Sequence, residues 1–554
     1  MRCLLIDELL INVLEEVKRA EGGHGDLAAA ARVCSWISKT ALDVLWHSQT
    51  SVMPLWKTLG GAVEEINGGE QRHGREDDKT RPQRRLKLIS AITDARWRRL
   101  TSYGERIRIL HIPYEEGRAD IPYPFSTVDL LTVAHNGHDL PVTKRLLELN
   151  MRGGSTQVLT APLYLATTLR KMELPMGRTG SSAAGERTLL GNIVRKYHEL
   201  TKLSISGLGL DLDDCEALAA REGRLDLACG HVSGEGWQRL SKSRGLRVLR
   251  MSCWEFGQTS FGNEVKVWGG QRATDERYFA GLEELSARCT RIADATAMLE
   301  GGELRRLKKL VVYRGERAHK ADREACNGFF EAVGKSCKVD ALECVMVGQN
   351  CRPWRVKKTG SLEGVGVGLS TMGPLLSFER MRILWVDLGA VYDLDDADLE
   401  RMARAWPRME SLAIGGDFGW KNKSRVTLRG LRSLAKHCVE LKDLSLRVDA
   451  TIRPEYQLNE DDVTSNYNVI GLTLGNSPIH DEPQEVAKEL CKIMPRLISI
   501  MSWYDCDGWD TLGVRMDNTE DDEIKTYYNG WQRVEEAIVS GELWTPEQRA
   551  HLGR

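Results

Sequence analysis

Cys438 directly follows His437, and Asp443 and Asp449 come shortly after, so a thiol nucleophile, an imidazole base and an orienting carboxylate can be drawn from one short stretch. The same stretch closes a segment in which Leu428, Leu431, Leu434 and Ala435 fall at helical spacing, where Cys and His act more simply as core and cap residues. Cys337, Cys344 and Cys351 recur every seven residues, which invites a metal site. Structural zinc takes closer pairs and no histidine lies nearby, so packed thiols are the simpler reading. Gly364-Val365-Gly366-Val367-Gly368 has the glycine density of a phosphate loop. It lacks the Gly-Lys-Ser/Thr ending and the wider dinucleotide spacing, and an inter-repeat loop is expected there. Arg81 to Arg85, with Arg96, Arg98 and Arg99, could meet phosphate or an acidic partner, but an exposed linker and helix account for them. No catalytic residue, metal or cofactor follows from these groups, and the chain does not read as an enzyme.

Composition and period set the elements that must hold such residues. The chain has 554 residues, 42% hydrophobic and 28% charged, so it is folded over most of its length and too long for one compact core. Lys+Arg 77 against Asp+Glu 79 leaves a net charge of -2, which argues against nucleic acid as a partner. Thirteen cysteines without tight clustering fit a reducing compartment and not a disulfide scaffold. No stretch approaches the roughly 18 uncharged apolar residues of a membrane span. Cys3-Leu4-Leu5-Ile6 is interrupted by Asp7 and Glu8 before it could serve as a secretory signal. The expectation is a cytoplasmic or nuclear protein with no membrane partner.

A pattern of apolar, two residues, apolar, one residue, apolar recurs along the chain. It appears as Met381-Leu384-Val386, Met409-Leu412-Ile414, Leu441-Leu444-Leu446, Val469-Leu472-Leu474 and Leu497-Ile500-Ser502, with first positions 28, 32, 28 and 28 residues apart. The same triplet occurs less regularly upstream, from Ile107-Leu110-Ile112 to Leu342-Val345-Val347. The second and third positions alternate inward as in a short strand. A helix precedes the next strand: Asp395 or Asp396 can cap it, Leu399, Met402, Ala403 and Trp406 share one face, and Pro407 stops it. Strand plus helix at this period is leucine-rich-repeat geometry, and such units must stack to bury their apolar faces. The fold class read from the sequence is therefore α/β, a leucine-rich-repeat solenoid or horseshoe. A doubly wound sheet would call for longer Val/Ile strands and phosphate-loop glycines.

The expected organisation is a helical module over 1–57, a polar mobile linker over 58–85, irregular repeats over 86–515 and a helical cap or tail over 516–554. Within the tail a helix is expected from Thr526 to Ser540, with Trp503, Trp509 and Trp531 closing the last repeat. In the first module, three short helices carry more apolar side chains than so small a core can cover.

The run Cys3-Leu4-Leu5-Ile6-Asp7-Glu8-Leu9-Leu10, then Asp26-Leu27 through Val33-Cys34 and Ala41-Leu42-Asp43-Val44-Leu45-Trp46, resembles an F-box. It is most similar to the large fungal, mushroom-type family that joins an F-box to irregular leucine-rich repeats. The early proline of many F-boxes is Ile6 here, and the usual aromatic slot holds Ile37 with Trp36 one place earlier. The resemblance implies a substrate receptor of a cullin–RING (SCF-type) ubiquitin ligase. Its three-helix module would dock the Skp-type adaptor through Leu5, Ile6, Leu9, Leu10, Val13, Leu14, Val33 and Ile37, and its repeats would hold a protein substrate. Strand positions between the inward residues, Glu410, Ser411, Ala413, Lys442, Asp443 and Ser445, are where that substrate would be read. The alternative is a repeat scaffold or ligand-binding protein whose F-box no longer recruits a ligase.

Overall fold

The structure is a computed structural model. It describes residues 7–20, 22–67, 84–112, 140–151, 161–175, 183–206, 209–210, 212–220, 222–228, 231–232, 234–252, 279–289, 291–300, 304–314, 323–349, 366–388, 391–415, 423–451, 465–502 and 521–541. The fold is α/β, and it divides into two units. One comprises Met1–Gly209 with Ala220–Cys229, and the other Leu210–Ala219 with Gly230–Arg554. Among the described residues no helix is long and apolar enough to cross a membrane.

Every triplet read from the sequence lies at a parallel strand, and each of its members is at most 7% exposed. In the first unit the strands run in chain order as β1 (Ser48–Gln49), β2 (Ile109–Ile112), β3 (Glu148–Met151), β4 (Lys171–Pro175), β5 (Lys202–Ser206) and β6 (Gly223–Ala228). In the second they are β7 (Leu246–Ser252), β8 (Glu284–Cys289), β9 (Lys309–Arg314), β10 (Cys344–Gln349), β11 (Ile383–Asp387), β12 (Ser411–Ile414), β13 (Asp443–Leu446), β14 (Gly471–Gly475) and β15 (Ser499–Ser502).

Register aligns the triplets column by column. Leu110, Leu149, Met172, Leu203 and Leu225 stand side by side in the first unit. Leu384, Leu412, Leu444, Leu472 and Ile500 do so in the second. The start of most strands is fixed by a shared carbonyl: the Glu410 and Ser411 N–H groups both donate to Arg382 O, at 2.8 and 3.0 Å. Lys442 and Asp443 do the same to Glu410 O, at 2.8 and 3.1 Å. A strand slipped by one residue would turn its apolar pair outward, so burial and main-chain pairing select the same register.

Three helices open the first unit: α1 (Asp7–Arg19), α2 (Gly23–Ala30) and α3 (Ser35–His47). Leu10, Leu14, Leu27, Ala41 and Val44 form their common core. Gly22, at φ 79, makes the left-handed turn between α1 and α2. A Cβ on the next residue, Gly23, would sit 1.9 Å from Val17 O, so the two helices approach through bare backbone. Helix α3 passes without a spacer into β1, where Ser48 and Gln49 pair with Ile109 and Leu110. Trp46 also packs on Tyr103 of α4 (Asp94–Gly104), with ring centroids 5.0 Å apart.

Sheet pairing thus begins at Ser48, inside the helical module expected over 1–57, and a short helix follows at Met53–Lys57. A two-residue polar strand leaves no apolar signature in the sequence. Within the expected linker, Val63–Asn67 pairs antiparallel with Arg84–Leu88, and residues 68–83 lie outside the described residues.

Between later strands of the second unit lie α5 (Asp396–Ala405), α6 (Leu428–His437) and α7 (Pro483–Ile493), followed at the end by α8 (Asp521–Val539). The two candidate caps divide the work. Asp395 caps α5 in a reciprocal box with Asp398, whereas Asp396 reaches the next repeat. Its carboxylate accepts from Thr427 N at 2.8 Å, Thr427 Oγ1 at 2.7 Å and Gly430 N at 3.0 Å. The terminal helix buries Trp531, Val534 and Ile538, and Trp531 Nε1 donates to Ser477 O at 2.9 Å. Trp503 and Trp509 lie outside the described residues.

The Asp396 contact gives a prediction with a diagnostic sign. A Cβ at Gly430 would lie 2.7 Å from Asp396 Oδ1 and 2.9 Å from Leu399 Cδ1. Helix propensity alone makes Gly→Ala stabilising by about 0.5–1 kcal/mol, whereas overpacking here destabilises by about 1–3 kcal/mol. Urea unfolding of Gly430→Ala is expected to give a lower midpoint than wild type, and a higher one would contradict the inter-repeat contact.

Candidate interaction surfaces

Two surfaces, one in each unit, expose residue types that bind other proteins. On α1, residues one turn apart divide between core and solvent. Leu10 and Leu14 are 3% and 5% exposed, while Leu9 and Val13 are 44% and 49% exposed. Val33, after α2, is 73% exposed and Trp36, on α3, is 40% exposed. Ile37 packs against the module core. Of the expected adaptor-binding residues, Leu9, Val13 and Val33 are thus available to a partner. Leu10 and Leu14 are corrected to core residues: at i and i+4 they share the inward face of α1 with Val17. Leu5 and Ile6 lie outside the described residues. Trp36 and Ile11 join the exposed set, a consequence of helix phase that becomes readable only once the inward face is known.

The second surface is the solvent side of the parallel sheet. At the start of β7 and immediately before each of β8 to β13, charge alternates in sign: Arg247, Glu283, Lys308, Glu343, Arg382, Glu410 and Lys442. Neighbours pair along this row. Lys308 meets Glu283 at 3.1 Å, Lys442 meets Glu410 at 3.0 Å, and Arg382 also bonds Glu410. Hydrogen bonds from Lys442 and then Arg382 hold the Glu410 carboxyl below the usual range, and Lys308 does the same for Glu283. Glu410 and Lys442, expected to read a substrate, are therefore engaged with each other. Ser411, Ala413, Asp443 and Ser445 do lie on the strands, at positions that alternate away from the core.

The sheet face itself is mostly polar, with an apolar island. One register row reads Arg250 and Ser286, then Val311, Met346 and Trp385, then Ala413, Ser445 and Thr473. Tyr313 meets Trp385 edge-on, with centroids 5.9 Å apart and planes at 61°. Gly348 makes this possible: a Cβ there would stand 2.8 Å from two carbons of the Trp385 ring. The indole lies on bare backbone of β10, which fixes its orientation. Sequence reading missed Trp385 because it sits between the two inward residues of its triplet, where any side chain is allowed.

The groups that first invited chemistry are placed otherwise. Cys438 is buried, and its Sγ donates to Trp406 O at 3.5 Å and Ala403 O at 3.7 Å. Burial pushes this thiol up to about 12, Cys337 to about 12 and Cys344 to about 11. At neutral pH these sulfurs carry protons, and it is the thiolate that attacks carbon or ligates metal. Cys351 lies outside the described residues. The expected loop at Gly364–Gly368 is corrected in part: Gly366–Gly368 is a strand paired with Val391–Asp393. A Cβ at Gly368 would meet Asp393 O at 2.5 Å, so its glycine serves close strand packing.

The Cys438 thiol makes stability depend on alkaline pH. With its folded value raised, its contribution is complete below the ordinary thiol range and is lost as pH rises from about 9 toward about 12. Between pH 9 and 11, wild type is expected to lose on the order of 1 kcal/mol per pH unit more than Cys438→Ala. Parallel slopes in urea unfolding would contradict this. Compared with known proteins, the chain matches no family model and no curated sequence.

Proposed function

We propose that the chain is a protein-interaction receptor, with an F-box-type module docking a Skp-type adaptor and a leucine-rich-repeat solenoid holding a protein substrate. Through the adaptor and a cullin it would serve a ubiquitin ligase in the cytoplasm or nucleus. Its own contribution to the reaction would be placement, raising the concentration of a substrate lysine near charged ubiquitin, and no residue of this chain would be catalytic. One observation carries the adaptor half of this reading. The three-helix core is closed by Leu10, Leu14, Leu27, Ala41 and Val44, yet Leu9, Val13, Val33 and Trp36 remain exposed around it. Covering such side chains contributes on the order of 1 kcal/mol each, before the cost of association. The repeated strand and helix units support the solenoid half.

The test is titration of the full chain with purified Skp-type adaptor. Leu9→Asp combined with Val13→Asp is expected to weaken binding by about tenfold or more, with an unchanged melting temperature because both side chains face solvent. Ile498→Asp, a change at an exposed residue of the second unit, is the control and should bind like wild type. Equal adaptor affinity in all three proteins would contradict the docking surface. Absence of adaptor binding altogether would leave the repeat-scaffold alternative.

A further inference from the structure

The apolar island on the sheet of the second unit stands beside a register row that carries a charge at each end. Lys309, Cys344, Ile383, Ser411 and Asp443 form one register row across β9 to β13. Lys309 is half-buried and Asp443 exposed, and among the described residues neither side chain forms an ion pair or a hydrogen bond. Glu284, in register beside Lys309, is instead held by Arg250 at 2.7 Å. These two groups therefore differ from the charges of the neighbouring row, where Glu283 and Glu410 are neutralised by Lys308, Arg382 and Lys442.

Spacing turns this into a recognition pattern. Trp385 on β11 is two strands from Lys309 on β9 and two strands from Asp443 on β13. At about 4.8 Å per strand the charges stand about 19 Å apart, which an extended chain at about 3.3 Å per residue spans in about six residues. The Trp385 ring, on the middle strand two residues beyond that row, rests on the bare backbone of Gly348 and meets Tyr313 edge-on, and so offers a preorganised anchor between the charges. Resting on the receptor reading above, we propose that this face binds an extended segment of a partner protein. The segment would place an acidic side chain over Lys309, an apolar side chain on Trp385 and Tyr313, and a basic side chain over Asp443.

The probes are fluorescein-labelled heptapeptides, measured by anisotropy against the full chain. Asp-Gly-Ser-Leu-Ser-Gly-Lys is expected to bind about fivefold or more tightly than the same peptide with Asp at both ends or Lys at both ends. This comparison holds for either chain direction of the bound peptide. Lys309→Glu should shift the preference to the peptide with two Lys, and Asp443→Lys to the one with two Asp. Both changes are at the sheet surface and keep the fold. Trp385→Ala, and Ala in place of the peptide Leu, should each weaken binding about tenfold. Three peptides bound alike, or an order unmoved by Lys309→Glu and Asp443→Lys, would overturn the inference. Adaptor titration of the same preparation separates the two readings. Indifference to peptide charge overturns the segment chemistry whether or not adaptor binds, and failure to bind adaptor counts against ligase recruitment alone.

Discussion

A short strand with two inward apolar side chains cannot bury them by itself, and the structure follows from how neighbouring strands share that burden. Leu412 is covered because Leu384 and Leu444 stand beside it in register. The alignment is locked by the main chain, most strands starting with two N–H groups on one carbonyl just before the neighbouring strand. Polar staples then join the connecting segments. Asp396 caps the helix of the following repeat, and Asn466 Nδ2 reaches Cys438 O at 2.9 Å while its Oδ1 accepts the N–H of Asn468 at 2.8 Å. Columns that bury the core also fix rows on the opposite face. There, side chains one strand apart stand about 4.8 Å apart, and a row of charges or rings becomes a ruler.

The same constraint decides which surface residues are available. Several charges placed just before the strands meet neighbours of opposite sign and are neutralised, as Glu410 is by Lys442 and Arg382 and Glu283 by Lys308. Exposed ion pairs of this kind add little stability, because water screens them and ordering two long side chains costs entropy. Their clearer effect is negative: a residue already paired is a poor reader of a partner. What remains is the apolar island around Trp385 and the unpaired charges flanking it. In the first unit the helical module is joined to its sheet by α3 running straight into β1 and by Trp46 on Tyr103, without a flexible joint. On the proposed reading that matters, because a scaffold that works by placement gains only as much as its geometry is fixed.

Much of the fold was legible because one signal repeats. Leu384 and Val386, or Leu444 and Leu446, could be assigned inward from a period that many units share, and Leu428, Leu431 and Leu434 from helical spacing. Where the signal is missing, so was the element. The strand at Leu225 and Leu227 has Glu222 in the place of the usual apolar first residue, and Ser48–Gln49 is polar and two residues long. The surfaces were less legible. Leu9 and Leu10 are adjacent and chemically alike, and only the phase of α1 against α2 and α3 tells that one is exposed and the other buried. Glu410 and Asp443 are both carboxylates at solvent-facing positions, but only the register of three strands reveals that one is engaged and the other is not. Trp385 carries no periodic signal, since its role depends on Gly348 in the strand beside it.

The most direct test of the account is hydrogen–deuterium exchange of the full chain, with and without saturating Skp-type adaptor. The account predicts slowed exchange in α1 and across Val33–Trp36, where the exposed apolar side chains lie, and no change in β9 to β13. Unchanged exchange over residues 7–36 with adaptor present, or protection confined to the sheet of the second unit, would contradict it.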